Sequence, residues 1–485
     1  HSSDKLYPVY DNRYWWSDAW DPKDYGRDFD FSRPFFEQFM ELYSEVPQLA
    51  VINDNGVQSE NCQYCQDFAF GKDCYLVVGS WYIRDSFYST GSNYGSDMVD
   101  CHIMNNCELS YECMHGFNLY DCRFLYQSEN CSECWFGLDL KGCKNCFGCT
   151  GLRQKEYWMF NKPYTKDEYF EKLASFQLSS YSGLNRLKQH FLEFLQTVPK
   201  SHIHALNCEG CEGDDLYNCK NVYGFDIYES EHCQFVDRIN NAEYCYDIIQ
   251  SGNPKWCYFC VTPDDSYMVA FSLWCWKSNF VYYSDSCHSS ENLFGCVGMR
   301  RGKYCILNKQ YGVEEYNSLR DKIIEHMKET GEWGEFFPIE LSPFGYNETV
   351  AQEYFPLEKA SVEKSKWRWS DDVVQDFITE ASKDYQLPDE IVDVGDDILD
   401  KVLICELSGK SYRIIKAELE FYKKMNLPIP RLCPDERHRQ RTKLRNPRTL
   451  FDRSCSDCGK ELRSTRSLEE DPSVFCEDCY QKHVQ

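Results

Sequence analysis

Residues 121–149 read DCRFLYQSENCSECWFGLDLKGCKNCFGC, and the cysteines in this stretch keep a strict spacing. Every gap between neighbouring cysteines is a multiple of three residues, for Cys122, Cys131, Cys134, Cys143, Cys146 and Cys149. The same phase continues upstream at Cys62, Cys65, Cys74, Cys101, Cys107 and Cys113. A phase that is shared over so long a segment indicates an internal repeat.

Cutting the chain every twelve residues from Asn61 aligns these cysteines in columns. The second, fifth, eighth and eleventh columns hold small or apolar residues, except for the charged Lys155 in the last coil. The first column is mostly Asp or Asn, which favour backbone corners. We therefore predict a narrow β-solenoid in which every third side chain points inward. Separate zinc knuckles are the competing interpretation of the CxxC pairs, but they would not place Ser86, Ser110 and Leu125 in the cysteine columns.

The three-residue phase resumes in the second half of the chain, from Cys233 to Cys305. The ends of the two halves also match: FGCTGLRQKEYWMFNKPYTKDEY at 147–169 aligns with FGCVGMRRGKYCILNKQYGVEEY at 294–316. We infer a duplication. Each copy continues into a helical pattern, the first with a capping box of Thr165 and Glu168 and the second ending before Gly331. These helices are predicted to cap the solenoid ends.

The third column of the repeat is aromatic although it points outward. Its members are Tyr75, Phe87, Tyr111, Trp135 and Phe147 in the first copy, and Tyr246, Tyr258, Tyr282 and Phe294 in the second. Because so long an aromatic stripe is unfavourable in water, we expect the copies and helices to pack on it. A partner-binding face is the alternative.

The strongest chemical pattern lies near the C-terminus, where two CxxC pairs are separated by seventeen residues: Cys455 and Cys458, then Cys476 and Cys479. Four thiolates suit tetrahedral zinc, so we predict a zinc ribbon with Zn as the cofactor. Cys405, Cys433 and His438 form a second candidate metal set, although a decayed site is an equal alternative because Ser408 stands where a fourth ligand would be.

The chain resembles a family of large cysteine-rich proteins from uncultivated bacteria that end in zinc ribbons. The resemblance rests on YWWSDAWDPKDYGRDFDFSRPFFEQF at 14–39, GEWGEFFPIELSPFGYNETVAQEYFP at 331–356 and the ribbon end. The family pattern has cysteines where this chain has Asp11, Tyr14 and Ser408, and it implies no activity. The repeat is also similar to the twelve-residue β-helix of insect antifreeze proteins, but their outward threonine ladder is absent here.

These patterns predict a mainly β fold with α caps: two tandem narrow β-solenoids with twelve-residue coils, connecting helices and a C-terminal zinc ribbon. The predicted boundaries are 1–48 for a degenerate N-terminal ribbon and helix, 49–164 for the first solenoid, 165–200 for capping helices, 201–311 for the second solenoid, 312–332 for a capping helix, 333–395 for an extended linker and 396–485 for a degenerate ribbon followed by the intact one.

Composition limits the functional classes. The formal net charge is −26, which disfavours binding of the whole chain to nucleic acid or anionic lipid. No apolar run reaches the length of a membrane span and no signal peptide is visible, so we expect a cytoplasmic protein that does not bind membranes. The inner cysteines are then expected to be free thiols. The chain begins with His1 rather than Met, which leaves room for a preceding segment.

Three functional hypotheses follow. The first is a non-enzymatic zinc-binding scaffold that docks to a protein partner through a rigid acidic double solenoid. The second is association with the ribosome, RNA or DNA through the ribbon and the basic segment 431–453, with candidate contacts at Arg437, Arg439, Arg441, Lys443, Arg445 and Arg448. The third is a solenoid enzyme with a cleft on its wall, although no P-loop, dinucleotide fingerprint, nucleophile elbow or HExxH motif is present.

Overall fold

The computed structural model describes residues 1, 5, 7–50, 58–231, 237–239, 242–243, 249–251, 266–371 and 385–484. Within these residues the chain is mixed α/β, and no helix combines the length and the apolar character that a membrane span requires. The α-helices are α1 (Asn12–Trp15), α2 (Phe35–Glu45), α3 (Lys166–Ser175), α4 (Tyr181–Leu195), α5 (Val313–Thr330), α6 (Ala351–Tyr354), α7 (Lys359–Lys364), α8 (Lys416–Met425), α9 (Pro434–Thr442) and α10 (Glu477–Val484).

The strands of the first half form one large sheet, preceded by a parallel pair of β1 (Val9–Tyr10) and β2 (Gln48–Leu49). The large sheet, called the first sheet below, has eleven strands. They are β3 (Gln66–Ala69), β4 (Val78–Arg84), β5 (Asn93–Val99), β6 (His102–Asn105), β7 (Glu108–Tyr111), β8 (Met114–Phe117), β9 (Tyr120–Glu129), β10 (Trp135–Leu138), β11 (Lys144–Thr150), β12 (Glu156–Met159) and β13 (Lys162–Pro163).

The remaining strands are short and belong to several sheets. They are β14 (Lys200–Ser201), β15 (Ala205–Leu206), β16 (Glu212–Lys220), β17 (Tyr223–Glu231), β18 (Asp237–Ile239), β19 (Ala242–Glu243), β20 (Ile249–Ser251), β21 (Tyr267–Ala270), β22 (Asn279–Tyr282), β23 (Glu291–Phe294), β24 (Lys303–Ile306), β25 (Lys309–Gln310), β26 (Leu403–Ile404), β27 (Ser411–Tyr412), β28 (Phe451–Ser454), β29 (Glu461–Ser464) and β30 (Val474–Phe475). Strands β15, β16, β17 and β19 form the four-stranded sheet, and β21 to β25 form the five-stranded sheet.

Neighbouring parallel strands of the first sheet are offset by twelve residues, the period of the sequence. Phe68 pairs with Ser80, and Gly137 pairs with Cys149. Every third residue from Cys65 to Leu152 is buried except the partly exposed Gly95, and the residue before each of them has a positive φ. Apart from Gly, Asn and Asp tolerate this left-handed conformation best, which explains why they recur in the first column.

The buried side chains at every third position of the first sheet share a narrow space, and the serines among them are hydrogen-bonded to the backbone. Ser89 Oγ donates to the carbonyl of Phe87 at 3.1 Å and accepts from the amide of Cys101 at 3.2 Å. A Cβ at Gly137 would lie 2.6 Å from Leu140 Cδ1. The described cysteines are free thiols. Thiols, backbone-bonded serines and apolar side chains such as Met98 and Leu125 fill this space. The serines need these bonds because a buried hydroxyl without a partner would destabilise the fold.

The two halves end in the same antiparallel hairpin, which supports the duplication. In the first, Asn161 Oδ1 accepts from the amide of Thr150 at 2.9 Å and its Nδ2 donates to the carbonyl of Thr150 at 2.9 Å. Asn308 makes the same pair of bonds to Val297, at 2.8 Å and 2.9 Å. The matched NK segments are therefore the turns that stop each series of parallel strands.

The predicted fold class, a mainly β chain of two tandem narrow β-solenoids, is wrong. The described chain is mixed α/β, and its strands fall into eight sheets. A uniform twelve-residue coil also fails in the second half, since Glu212 of β16 pairs with Tyr223 of β17, an offset of eleven. Periodicity specifies the register of adjacent strands, but it does not specify whether all strands join one continuous stack.

Helices pack against the faces of the sheets as well as at their ends. Outward Phe87, Tyr111, Trp135 and Phe147 are buried, and the ring centroids of Tyr111 and Phe421 of α8 lie 6.3 Å apart. In the second half, Phe35 of α2 contacts Phe294 at 5.4 Å between centroids. The expected cover on the aromatic column is thus confirmed for these residues, whereas Tyr246 and Tyr258 lie outside the described residues.

The helix termini follow the sequence signals. The capping box of Thr165 and Glu168 begins α3, and α5 ends at Gly331 in a left-handed conformation, as predicted. Helix α2 begins without a local cap. Instead, the carboxylate of Glu332 accepts from the amides of Phe35 and Phe36 at 2.9 Å and 2.7 Å, which joins the N-terminal segment to the end of α5.

We expect Asp285→Asn to stabilise the protein at pH 8. Asp285 lies between β22 and β23, and burial raises the pKa of its carboxyl from 3.8 to about 6. Because the folded-state pKa is the higher one, the stabilising contribution exists below pH 3.8 and is lost as the pH rises through 6. The neutral amide should therefore raise the free energy of unfolding by about 3 kcal/mol at pH 8.

Urea unfolding at pH 8 and pH 4 checks this prediction, and the gain should fall below about 1 kcal/mol at pH 4. The amide can still accept the Ser286 hydroxyl, which donates to Asp285 Oδ1 at 2.7 Å. Asp321→Asn is the control, since this exposed carboxylate should show no such pH-dependent gain. Equal stabilities of the wild type and Asp285→Asn at pH 8 would contradict the prediction.

Candidate metal centre

The C-terminal module, residues 451–484, places its four cysteines on two turns. The antiparallel strands β28 and β29 are joined by a turn in which the amide of Gly459 donates to the carbonyl of Cys455 at 3.0 Å. Gly459 has a φ of +74°, which favours glycine. Cys476 follows β30, and Cys479 lies in the first turn of α10. Each CxxC pair thus projects both sulfurs to one side of its turn.

The four sulfur atoms converge. One ligand atom from each of Cys455, Cys458, Cys476 and Cys479 lies within 4.8 Å of the others, and the Sγ atoms of Cys458 and Cys476 are 3.7 Å apart. Tetrahedral zinc with bonds of about 2.3 Å separates its sulfurs by about 3.8 Å. The cluster can therefore hold a metal ion, with Cys458 as its solvent-exposed edge.

Backbone amides prepare this cluster for a thiolate. The amide of Cys476 donates to Cys455 Sγ at 3.3 Å. Burial raises the pKa of Cys455, but the amides of Cys458, Cys476 and Asp457 stabilise the thiolate and together lower the pKa to about 6. A thiolate is the form that binds metal, so these amides favour Cys455 as the first sulfur to bind an ion at neutral pH.

The module is attached to both halves of the chain. Strand β30 pairs with β14, and Tyr480 OH donates to Asp139 Oδ2 of the first half at 2.6 Å. On the other side, Thr465 Oγ1 donates to Asp214 Oδ2 of the four-stranded sheet at 2.8 Å. Lys200 forms an ion pair with Asp471. Organisation of the four-cysteine cluster is therefore coupled to the contact between the halves.

The second candidate set does not assemble. The β26–β27 hairpin repeats the turn of the intact ribbon, with the amide of Gly409 donating to the carbonyl of Cys405 at 3.0 Å. Ser408 Oγ lies 3.8 Å from Cys433 Sγ, but His438 Nε2 bonds to Glu353 Oε1 at 2.9 Å instead. Among the described residues these three do not form a metal-type cluster. The ribbon geometry is kept here while the ligand set is incomplete.

The basic segment is used mostly inside the molecule. Arg437 and Arg441 are buried and pair with Asp100 at 3.0 Å and 2.9 Å. Arg445 donates to Tyr354 OH at 3.0 Å, and Arg448 pairs with Asp226. Arg439 and Lys443 remain exposed. Because buried guanidinium groups cannot reach phosphates, the predicted nucleic-acid set is reduced to two solvent-facing cations.

A cavity of about 360 Å³ lies between the first sheet, α4 and the segment 406–440. Its polar groups are already paired, since Lys188 Nζ contacts Glu112 Oε2 at 2.5 Å and the guanidinium of Arg431 stacks on Tyr181 at 4.4 Å. The cavity has the size of a small-ligand site. Its lining shows paired charges rather than a nucleophile held against a base.

A second converging set, His115, Asp215 and Asp226, has no signature in the sequence. Asp215 and Asp226 lie about one hundred residues from His115, and spacing along the chain carries no signal across such a distance. Only the packing of the two halves brings these side chains together.

Comparison with known proteins provides no assignment, so the resemblance to the zinc-ribbon family stays a prediction. Neither a protein-family model nor a curated protein sequence matches this chain.

Proposed function

We propose that this protein is a zinc-binding scaffold of the cytosol that acts by docking a protein partner rather than by catalysis. The observation that carries the proposal is the four-cysteine cluster inside a module that bonds to both halves of the chain. A tetrahedral site with four protein ligands leaves no open position for a substrate, so its role is structural. The buried free thiols are compatible with a reducing compartment.

Zinc is the proposed ion because two CxxC turns with four thiolates form its commonest structural site, although iron binds the same ligands. Metal analysis of the protein purified without added metal tests this. We expect zinc in the cluster and a colourless solution. Iron in the cluster, with the visible absorption of iron–thiolate bonds, would overturn the assignment.

The proposed docking face is a row of stacked aromatic rings on the first sheet, called the aromatic ladder. Phe70 and Tyr82 stack at 4.6 Å, and Tyr82 and Tyr94 at 4.9 Å between centroids. Tyr82 is 44% exposed and Tyr94 58%. The ladder therefore exposes flat apolar surface to water. The neighbouring aromatic column, in contrast, is covered by helices.

Charge suggests the chemistry of the partner. Asp73 follows Phe70 by three residues and Asp85 follows Tyr82 by three, so carboxylates accompany the ladder. Burial, together with Asp97 and Asp73, raises the pKa of Asp85, while Lys424 and Lys72 partly oppose this effect. A basic protein segment with apolar side chains complements both features, and the net charge of −26 would increase its association rate.

We expect Tyr82→Ser combined with Tyr94→Ser to weaken partner binding at least tenfold while leaving the fold intact. The partner would be identified by quantitative co-purification with the wild type and then titrated against each variant. Tyr120→Ser is the matched control, because Tyr120 is an exposed tyrosine of the same sheet outside the ladder. A partner that binds the ladder variant as tightly as the control variant would contradict this docking face.

A further inference from the structure

A buried histidine lies between two aspartates at the contact of the two halves. His115 belongs to β8 of the first sheet, whereas Asp215 and Asp226 belong to β16 and β17 of the four-stranded sheet. The side chain of His115 is 2% exposed. Three potential metal ligands from separate strands therefore meet in a place that solvent hardly reaches.

The distances leave a gap around the imidazole. Nε2 of His115 is 3.6 Å from Asp215 Oδ2, and Nδ1 is 3.7 Å from Asp226 Oδ1. Both separations are too long for a hydrogen bond, and neither ring nitrogen has a hydrogen-bond partner among the described residues. One ligand atom from each of the three residues lies within 4.8 Å of the others.

Other side chains hold the aspartates in this arrangement. Asp215 Oδ1 accepts from Gln127 Nε2 at 2.8 Å and from His204 Nδ1 at 2.7 Å, while its other oxygen faces His115. Asp226 pairs with Arg448 through Oδ2, and Oδ1 faces His115. Outer hydrogen bonds that fix one oxygen of a ligating carboxylate are typical of metal sites.

An ion pair between a protonated His115 and the aspartates is the competing explanation. Charge-assisted hydrogen bonds of this type contract to about 2.7–2.9 Å. The separations of 3.6 Å and 3.7 Å, one at each ring nitrogen, are both longer than such bonds. An ion would be shared by one ring nitrogen and one oxygen of each carboxylate, and one such set of atoms lies within 4.8 Å of one another.

We propose that one ring nitrogen of His115 and the carboxylates of Asp215 and Asp226 bind a divalent first-row transition-metal ion. One imidazole and two carboxylates suit zinc, iron(II) or manganese(II). The site is separate from the four-cysteine cluster and does not depend on the scaffold function. Its ion would bridge the first sheet and the four-stranded sheet, in addition to the hydrogen bond of Gln127 to Asp215.

Cobalt(II) titration of the chelator-treated full chain tests the proposal, because the two sites give different spectra. The four-cysteine cluster gives intense thiolate-to-cobalt charge transfer, whereas an imidazole–carboxylate site gives only weak d–d bands. We expect the wild type to bind two cobalt ions, one of each kind, and His115→Ala to lose the weakly absorbing one. His190→Ala, which removes an exposed histidine, should keep both.

The wild-type count decides the question even where a variant folds poorly. Binding of only the thiolate-ligated cobalt by the wild type would overturn the proposal, and so would a second ion retained in full by His115→Ala. Asp226→Asn preserves the side-chain shape and should also lose the second ion. Thiolate charge transfer reports only the cysteine cluster and the weak d–d bands report only the second ion, so failure of either site is separately visible.

Discussion

Cys476→Ser will abolish metal binding at the four-cysteine cluster and release the C-terminal module from the rest of the chain. Serine removes one of four thiolate ligands, and structural zinc contributes on the order of 10 kcal/mol to the folding of small modules. The docking bonds of the module, such as that of Tyr480 to Asp139, depend on strands and turns that the cluster organises. We therefore expect α10 and the β14–β30 pairing to lose their structure together.

Hydrogen exchange measures this effect. The amide of His202 donates to the carbonyl of Phe475 at 3.0 Å, and it should exchange at least a hundredfold faster in the variant. Cys287→Ser is the control, since it removes a buried thiol from a region where Ser284 and Ser290 already occupy interior positions. Equal protection of His202 in both variants would show that the module is held without its cluster.

Arg437→Met will cost about 3–5 kcal/mol of unfolding free energy, because it leaves buried carboxylates without their cation. Arg437 Nε lies 3.0 Å from Asp100 Oδ2, and NH1 lies 3.2 Å from Glu418 Oε1. Asp100 and Glu418 are fully buried. Arg441 still pairs with Asp100, so Glu418 loses most. Burial already raises the pKa of Glu418, which Arg437 opposes.

A double-mutant cycle with Glu418→Gln isolates this interaction. Removing the buried charge should recover a large part of the loss, and the urea midpoints of the four proteins measure it. Arg439→Met is the matched control on the same helix, because Arg439 is exposed and pairs with Glu436 within the same helix, and its loss should cost about 0–1 kcal/mol. A loss at Arg437 no larger than the loss at Arg439 would contradict the prediction.

The four-cysteine cluster could be predicted because its ligands are local. Two CxxC turns each place two sulfurs close together whatever the rest of the chain does, and only their mutual approach requires tertiary structure. Whether the incomplete ribbon forms a metal site could not be predicted from local spacing. Cys405 and Cys433 are near each other, but the position of His438 depends on Glu353, which lies on a distant helix. No local sequence pattern indicates that His438 bonds to Glu353 instead of joining the two cysteines.

The basic segment shows the opposite case. Alternating arginines indicate a solvent-exposed, cationic segment. Arg437 and Arg441, however, lie one helical turn apart, and both pair with the buried Asp100. Sequence alone reports charge but not burial. The same limitation applies to His115, Asp215 and Asp226, whose strands come from two halves of the chain.

The repeat by itself determined the local geometry of the first sheet, namely the twelve-residue offset between its strands and the burial of every third side chain. These features follow from short-range sterics and hydrogen bonding, because the same local residue pattern recurs in every repeat. Tertiary structure alone decided how many sheets form, which helices cover the aromatic column and which charges are buried. Those outcomes depend on apolar burial between segments hundreds of residues apart, where no spacing rule acts.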